Sequence, residues 1–279
     1  MFNFNFQTII QQKRPLWLCR FLLFLCSMNI SVVIITRNEA HIIGNTLQSL
    51  QPLIRDVVVV DSGSTDDTVN LCRTFGARVI ETGWHGYGIN KNMGIEAAAY
   101  DWILSLDADE AIDEELKQSL QQLSLQKENE VFTIRFKNFF CNKWIRFGEW
   151  GFDKHIRLFN RQKVKWNMAE VHENLVFPPG VVITLLKGNI LHYTVQNRLE
   201  YRQKMTGYAR MNARKYFEAG RKPNFFKQYF SPVFAFVQHY IFRLGFLDGR
   251  EGFVIAKTTS WYTFMKYHYL KMMNEHPEN

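Results

Sequence analysis

Apolar and polar positions alternate on two different periods along this chain. Residues 30–36 (ISVVIIT), 56–60 (DVVVV) and 102–106 (WILSL) are short, mostly unbroken apolar runs. That is the pattern of strands covered on both faces. Residues 78–81 predict a further short strand. Helical spacing lies between these runs. Ile42, Ile43, Leu47 and Leu50 share one face, with Asn38 placed to cap the helix and Pro52 to end it. A second helix runs from Ser64 or Thr65 to about Phe75, stopped by Gly76. Two more are predicted over 89–99 and 113–123. After residue 130 the period falls to two. Residues 131–137 (VFTIRFK) and 155–159 (HIRLF) alternate as strands, and 181–186 with 190–194 predict a hairpin. Helices follow over 198–219, 225–244 and 252–272, broken by Gly220, Pro223 and Gly245.

Strand–helix alternation in the first half predicts an α/β fold with a Rossmann-like, mostly parallel sheet, followed by a helical extension. Right-handed crossovers bring the carboxyl ends of parallel strands to one edge, where open α/β sheets bind ligands. Three polar clusters, Thr36-Arg37-Asn38-Glu39, Asp61-Ser62-Gly63-Ser64 and Asp107-Ala108-Asp109, each follow a strand directly. They are expected to meet in one cleft.

Charge divides the chain. Residues 28–134 carry seven basic and 16 acidic side chains, whereas residues 135–279 carry 24 basic and 10 acidic. Acidic residues can hold a cation, and a basic surface can meet phosphates or an anionic membrane. The apolar fraction of 47% excludes general disorder. Cys19, Cys26, Cys72 and Cys141 lack CxxC spacing, which argues against a zinc ribbon or disulfide scaffold and for a reducing compartment. Residues 1–27 contain the run LWLCRFLLFLC, too short to span a bilayer, and Met28 opens a natural α/β start. We read 1–27 as an N-terminal arm or over-extended start.

Asp107 and Asp109 are the sharpest chemical feature. Two carboxylates at i and i+2 off a strand end can reach one divalent cation, and Mg2+ or Mn2+ takes one or two carboxylates plus substrate phosphates. Asp61 can accept hydrogen bonds from a base or ribose, while Asp66, Asp67 and Thr68 read as helix-capping residues. Glu39 reads either as a first-turn acid or as a group facing the cleft.

The segments SVVIITRNEAHIIGNTLQSL, VVVVDSGSTDDTVNLC, GINKNMGIEAA and WILSLDADE together resemble the family 2 glycosyltransferases, which have the GT-A fold. The resemblance is strong over about residues 29–125, in the family's order. It implies that Thr36 and Glu39 border the nucleoside, with Arg37 in the same nucleotide-sugar-binding set, and that Asp61 contacts uracil or ribose. Lys91 would lie near the diphosphate, with Asp107 on the ribose and metal side and Asp109 on the metal itself. A looser similarity over WIRFGEWGFDKHIRLFNRQKVKWNMAEVHENL and GFLDGREGFVIAKTTSWYTFMKYHYL points to the bacterial lipopolysaccharide-core subgroup resembling β-1,4-glucosyltransferases.

That subgroup implies a nucleotide-sugar donor, with a UDP-sugar favoured, and a glycolipid or oligosaccharide acceptor. The expected reaction is inverting transfer of a hexose by one in-line displacement. Glu173 is the expected base, with Glu170 the alternative, and His172 reads as a further metal ligand, a diphosphate contact or a core histidine. The expected organisation is a catalytic domain over 28–196, with a nucleotide-sugar half (28–125) and an acceptor half (126–196), and a helical segment over 197–279. The basic run from Arg198 to Lys222 and the aromatic segment FFKQYFSPVFAFVQHYIFRLGFL suit an anionic membrane surface, with no nucleic acid partner. The expected location is cytoplasmic, peripheral on the inner face of the cytoplasmic membrane. Another surface polysaccharide or a polyprenyl-phosphate acceptor would serve the same features, as would a non-catalytic nucleotide-sugar-binding module that docks on a membrane.

Overall fold

The computed structural model describes residues 28–167 and 174–275. β1 (Ile30–Thr36) is buried along its whole length. Its side chains serve two cores, as its unbroken apolar run requires. Ile30, Val32 and Ile34 join one cluster with α1 (Ile43–Leu50), α2 (Thr68–Thr74) and α4 (Glu114–Gln121). Val33 joins the other, with Ile95 of α3 (Tyr87–Ala97). Gly94 permits the close approach of α3: a Cβ there would strike Val33 Cγ1.

The main sheet runs β3 (Arg78–Glu81), β2 (Asp56–Asp61), β1, β4 (Trp102–Asp107), β8 (Lys154–Asn160), β6 (Glu130–Phe140), β11 (Val182–Val195), β5 (Glu110–Ile112). β7 (Lys143–Trp144) hangs off β6, and β9 (Lys165–Trp166) pairs β10 (Leu175–Val176) separately. Strands β3, β2, β1 and β4 are mutually parallel. Thr36 lies opposite Asp61, and Ile35 opposite Asp107, so the expected tips do share one edge. Beyond β4 the sheet is mixed, because β8 enters antiparallel between β4 and β6.

Several local expectations are corrected. Residues 181–186 and 190–194 form one long strand, β11, and no hairpin. Both parts pair parallel to β6, with a register shift between Leu185 and Asn189. Gly188 (φ +89°) lies in that irregularity and lets the chain pass against α4; a Cβ there would strike the Leu116 backbone. A turn-like Lys187-Gly188 is thus a bulge. Asn38 does not cap α1, since it is left-handed (φ 57°) and the helix begins at Ile43. Ser64 and Thr65 do not cap α2, which begins at Thr68 with Asp66 Oδ1 accepting the Thr68 N–H.

The helical segment follows the pattern more closely. α5 (Arg198–Glu218) is capped by Asn197, and α6 (Phe225–Val237) by Asn224. α6 stops earlier than expected, giving way to a π-helical turn (Gln238–Phe242) and left-handed Leu244. A short 3-10 turn (Gly245–Asp248) leads into α7 (Gly249–Glu275).

Asp56 ties this architecture together at the far edge of the sheet. Its carboxylate accepts from Ser31 Oγ, the Ala99 N–H and Arg78. Burial opposes ionisation, but these three donors hold the group below its ordinary 3.8. A depressed carboxyl stabilises the fold above about pH 4 and loses that contribution as pH falls through its folded value. Asp56→Asn is therefore expected to cost about 1–3 kcal/mol at neutral pH. Urea titrations should show the deficit shrinking below pH 4.

Candidate active site

The carboxyl edge of β1, β2 and β4 opens into a cavity of about 880 Å3, roofed by α5 and α7. Its floor is held by a stitched pair of loops. Asn38 Oδ1 accepts the Thr65 N–H at 2.7 Å, Ser64 Oγ accepts the Asn38 N–H at 2.8 Å, and Thr68 Oγ1 accepts the Glu39 N–H at 2.8 Å. The left-handed turn at Asn38 makes these contacts possible, and they aim Thr36, Arg37 and Glu39 into the cavity.

Lys91, Asp107 and Asp109 also line it. Asp61 does not. It is buried, and its carboxylate accepts from the Gly63 and Ser64 N–H groups and from Ser64 Oγ. It shapes its own turn, and the adjacent Ser62 faces the cavity instead. Asn90 braces this loop by donating to Ser62 Oγ at 2.9 Å. Glu173, Glu170, His172 and residues 1–27 lie outside the described residues.

Three residues not assigned a role from the sequence support the charged floor: His192 lines the cavity, and the buried Arg157 and Glu110 lie beneath it. Arg157, on β8, places its guanidinium 3.2 Å from Asp107 Oδ2 and 2.5 Å from Glu110 Oε1. Glu110 is 1% exposed and also accepts the Asp107 N–H. Lys91 Nζ sits 3.3 Å from Asp107 Oδ1 and 4.5 Å from the Trp166 ring centroid. Burial would raise Asp107, but Lys91, Arg157 and His192 hold it well below the carboxylate range. Burial pushes Glu110 the other way, and the Asp107 and Asp109 charges add to that, against the pull of Arg157.

His192 is the third unassigned residue. β11 runs antiparallel to β5 with His192 opposite Glu110, which sets the imidazole beside Asp109. Its Nε2 is 3.4 Å from Asp109 Oδ2, and its Nδ1 is 2.8 Å from Asn138 Oδ1. Asn138 donates from its amide nitrogen to the Trp150 carbonyl, so Oδ1 is the acceptor and Nδ1 carries a proton. Burial lowers the His192 pKa, yet Asp109, Glu110 and Asp107 raise it above the ordinary 6.5. Glu39 is raised by burial and then by the charge of Asp109. The sequence signals were an arginine and a histidine inside apolar strand patterns, positions where an unpaired polar group is costly.

This arrangement gathers acidic side chains that follow parallel strands, with Lys91 of α3 beside them, in a cleft large enough for a ligand of nucleotide size. The sequence matches the family described as Glycosyl transferase family 2 over residues 31–176, more than half of the chain. The chain belongs to glycosyl transferase family 2. It is a glycosyltransferase with the GT-A type of fold, its sheet parallel over β3, β2, β1 and β4 and mixed beyond, followed by helices. Among curated relatives of this family 2 chain is the "Lipopolysaccharide core biosynthesis glycosyltransferase LpsC" of Rhizobium meliloti (strain 1021). It is 29% identical over 244 residues, spanning 85% of this chain and 89% of the relative. The "Uncharacterized glycosyltransferase RP128" of Rickettsia prowazekii (strain Madrid E) is 27% identical over 249 residues, 85% of each chain. Among solved structures, S. aureus TarS 1-349 in complex with UDP-GlcNAc is similar with TM-score 0.45 and 16% identity. That match covers 90% of this chain and 92% of TarS 1-349.

Proposed function

We propose that this family 2 glycosyltransferase is an inverting, divalent-metal-dependent enzyme. It moves a hexose from a UDP-sugar to a lipid-linked saccharide such as lipopolysaccharide core, at the inner face of the cytoplasmic membrane. The observation that carries the reading is the juxtaposition of Asp107, Asp109, His192 and Lys91 on the floor of one cleft. The name of the Rhizobium relative supports the acceptor class.

The donor set fits Mg2+ or Mn2+. Asp109 Oδ2 and His192 Nε2 face each other at 3.4 Å, and Asn138 keeps the proton on Nδ1, leaving Nε2 able to coordinate once its own proton is lost. No group of three His, Cys, Asp or Glu side chains suited to a metal occurs among the described residues. One carboxylate, with phosphate and water oxygens completing the shell, is a pattern these cations favour, and a neutral imidazole adds a ligand that Mn2+ accepts more readily than Mg2+. We assign the site to Asp109 and His192, with Asp107 beside them. When bound, the cation supplies Lewis-acid neutralisation of the leaving diphosphate.

The protein's own groups do the rest. Lys91 adds positive charge beside the diphosphate. Thr36, Arg37 and Glu39 border the nucleoside, and Ser62 stands in the place expected for Asp61. The acceptor hydroxyl attacks the anomeric carbon as its bond to the diphosphate oxygen breaks. Its proton passes to the carboxylate of Glu173, or of Glu170 in the alternative assignment. Glu173→Gln should lower transfer by about 10²-fold with donor binding unchanged. Single-turnover rates and donor titration calorimetry test this; full turnover would remove Glu173 from the role. The reading as a whole is tested by thermal shift across nucleotide sugars with and without Mn2+, followed by transfer to extracted glycolipid. No metal-dependent donor would overturn it.

A further inference from the structure

α6 packs against α7 through Tyr229 on Phe264 and Phe236 on Phe253, with ring centroids 5.9 Å apart in each pair. Its other face carries Phe226, Phe230, Val233 and Phe234 at helical spacing, each more than 60% exposed among the described residues. Phe226 and Phe230 stack on one another in the open, with centroids 5.7 Å apart. Just past the helix Ile241, Phe242 and Leu247 are exposed as well. Isolated exposed apolar residues are ordinary, but a continuous aromatic face of this kind marks an interaction surface.

Charge identifies the partner. Residues 219–247 contain no acidic side chain, while Arg221, Lys222, Lys227 and Arg243 accompany the aromatic residues along the sequence. Where α5, α6 and α7 meet, a second cavity of about 320 Å3 is lined by Tyr216, Arg221, Lys222, Lys227, Tyr267 and Leu270. Three cations with two tyrosines and no carboxylate form a receptor for a phosphate group. No described helix is long and apolar enough to cross a membrane. Exposed phenylalanines beside lysine and arginine on a helix of this length match a segment lying in the plane of a bilayer interface.

This cavity adjoins the active-site cleft. Lys215 lines the cleft and Tyr216 the second cavity, one residue apart on α5. Lys266 Nζ spans them, lying over Tyr262 of the cleft at 5.6 Å and over Tyr267 of the second cavity at 5.0 Å.

We propose that the α6 face docks on an anionic phospholipid bilayer, with the Arg221–Lys222–Lys227 pocket seating a lipid phosphate at the edge of the cleft. The surface stands on its own observations; its use in presenting an acceptor rests on the transferase reading above. The test is co-sedimentation of the full chain with vesicles of phosphatidylcholine alone or mixed with phosphatidylglycerol, without donor or acceptor. We expect binding to the mixed vesicles, weakened by salt. The triple variant Phe226→Ser, Phe230→Ser, Phe234→Ser should weaken it about 100-fold. The variant Arg221→Gln, Lys222→Gln, Lys227→Gln should lose a similar factor on mixed vesicles, with little change on phosphatidylcholine alone. Circular dichroism checks that both variants fold. Undiminished binding by either variant overturns the proposal. So does a stable dimer in light scattering that the phenylalanine variant converts to monomer, because a second copy then covers the face. Transfer to detergent-dispersed glycolipid is measured alongside and should stay within about threefold in the phenylalanine variant. Vesicle binding without any transfer by the unaltered protein would fail the transferase reading and leave the docking surface standing.

Discussion

Asp109→Asn is expected to lower sugar transfer by about 10³-fold while leaving the protein folded. Asp109 sits between β4 and β5, partly exposed at the floor of the cleft, and its carboxylate faces His192 Nε2. The amide keeps the shape and removes the charge. In the proposed reaction that charge would hold the cation, which would supply Lewis-acid neutralisation of the charge on the leaving diphosphate. Ground-state donor binding should also lose its metal dependence. Thermal shift with donor, with and without Mn2+, reads this directly: the native protein should gain stability only with both together, and the variant should gain little from the metal. Activity within tenfold of the native protein would remove Asp109 from the metal site.

Arg157→Met is the largest expected effect on stability, about 3–5 kcal/mol. Arg157 and Glu110 are both almost entirely shielded from water, and Arg157 also reaches Asp107 and lies over the Phe136 ring. Methionine keeps the packing but leaves the Glu110 carboxylate buried without its cation. The penalty is the stranded carboxyl group, charged or forced to take up a proton, rather than the lost attraction, since a well-packed apolar replacement of a whole buried pair is often near neutral. The double variant Arg157→Met, Glu110→Met should therefore recover much of the loss. Urea unfolding of the four proteins in the cycle measures the coupling. A loss below about 1 kcal/mol in the single variant would show that the pair is hydrated and not structural.

Most of the first half of the chain was legible from residue order. β1, β2 and β4 are unbroken apolar runs because both their faces are covered, and the polar tips follow them directly. The second half was harder to read, because its strands are long, irregular and paired with distant partners. Lys187-Gly188 looks like a turn in any local window. It becomes a bulge only because both parts of β11 find β6. Asn38 and Ser64 resemble helix caps, but each is engaged by a loop more than 20 residues away. Asp61 illustrates the same limit in the site: its position at a strand tip was correct, yet its carboxylate serves its own turn.

Local pattern by itself determined the α/β class, the shared edge of strand tips, the Asp107–Asp109 pair and the basic aromatic end of the chain. These depend on side-chain periodicity and on the fixed hand of parallel crossovers, both written in consecutive residues. Only the tertiary structure decided that Arg157 stands beneath Asp107, 50 residues away in the chain, and that His192 completes the floor beside Asp109. It also decided that α5 and α7 roof the cleft. Those placements follow from β8 and β11 joining the sheet out of sequence order, and strand pairing across such separations leaves no periodic trace in the residues that make it.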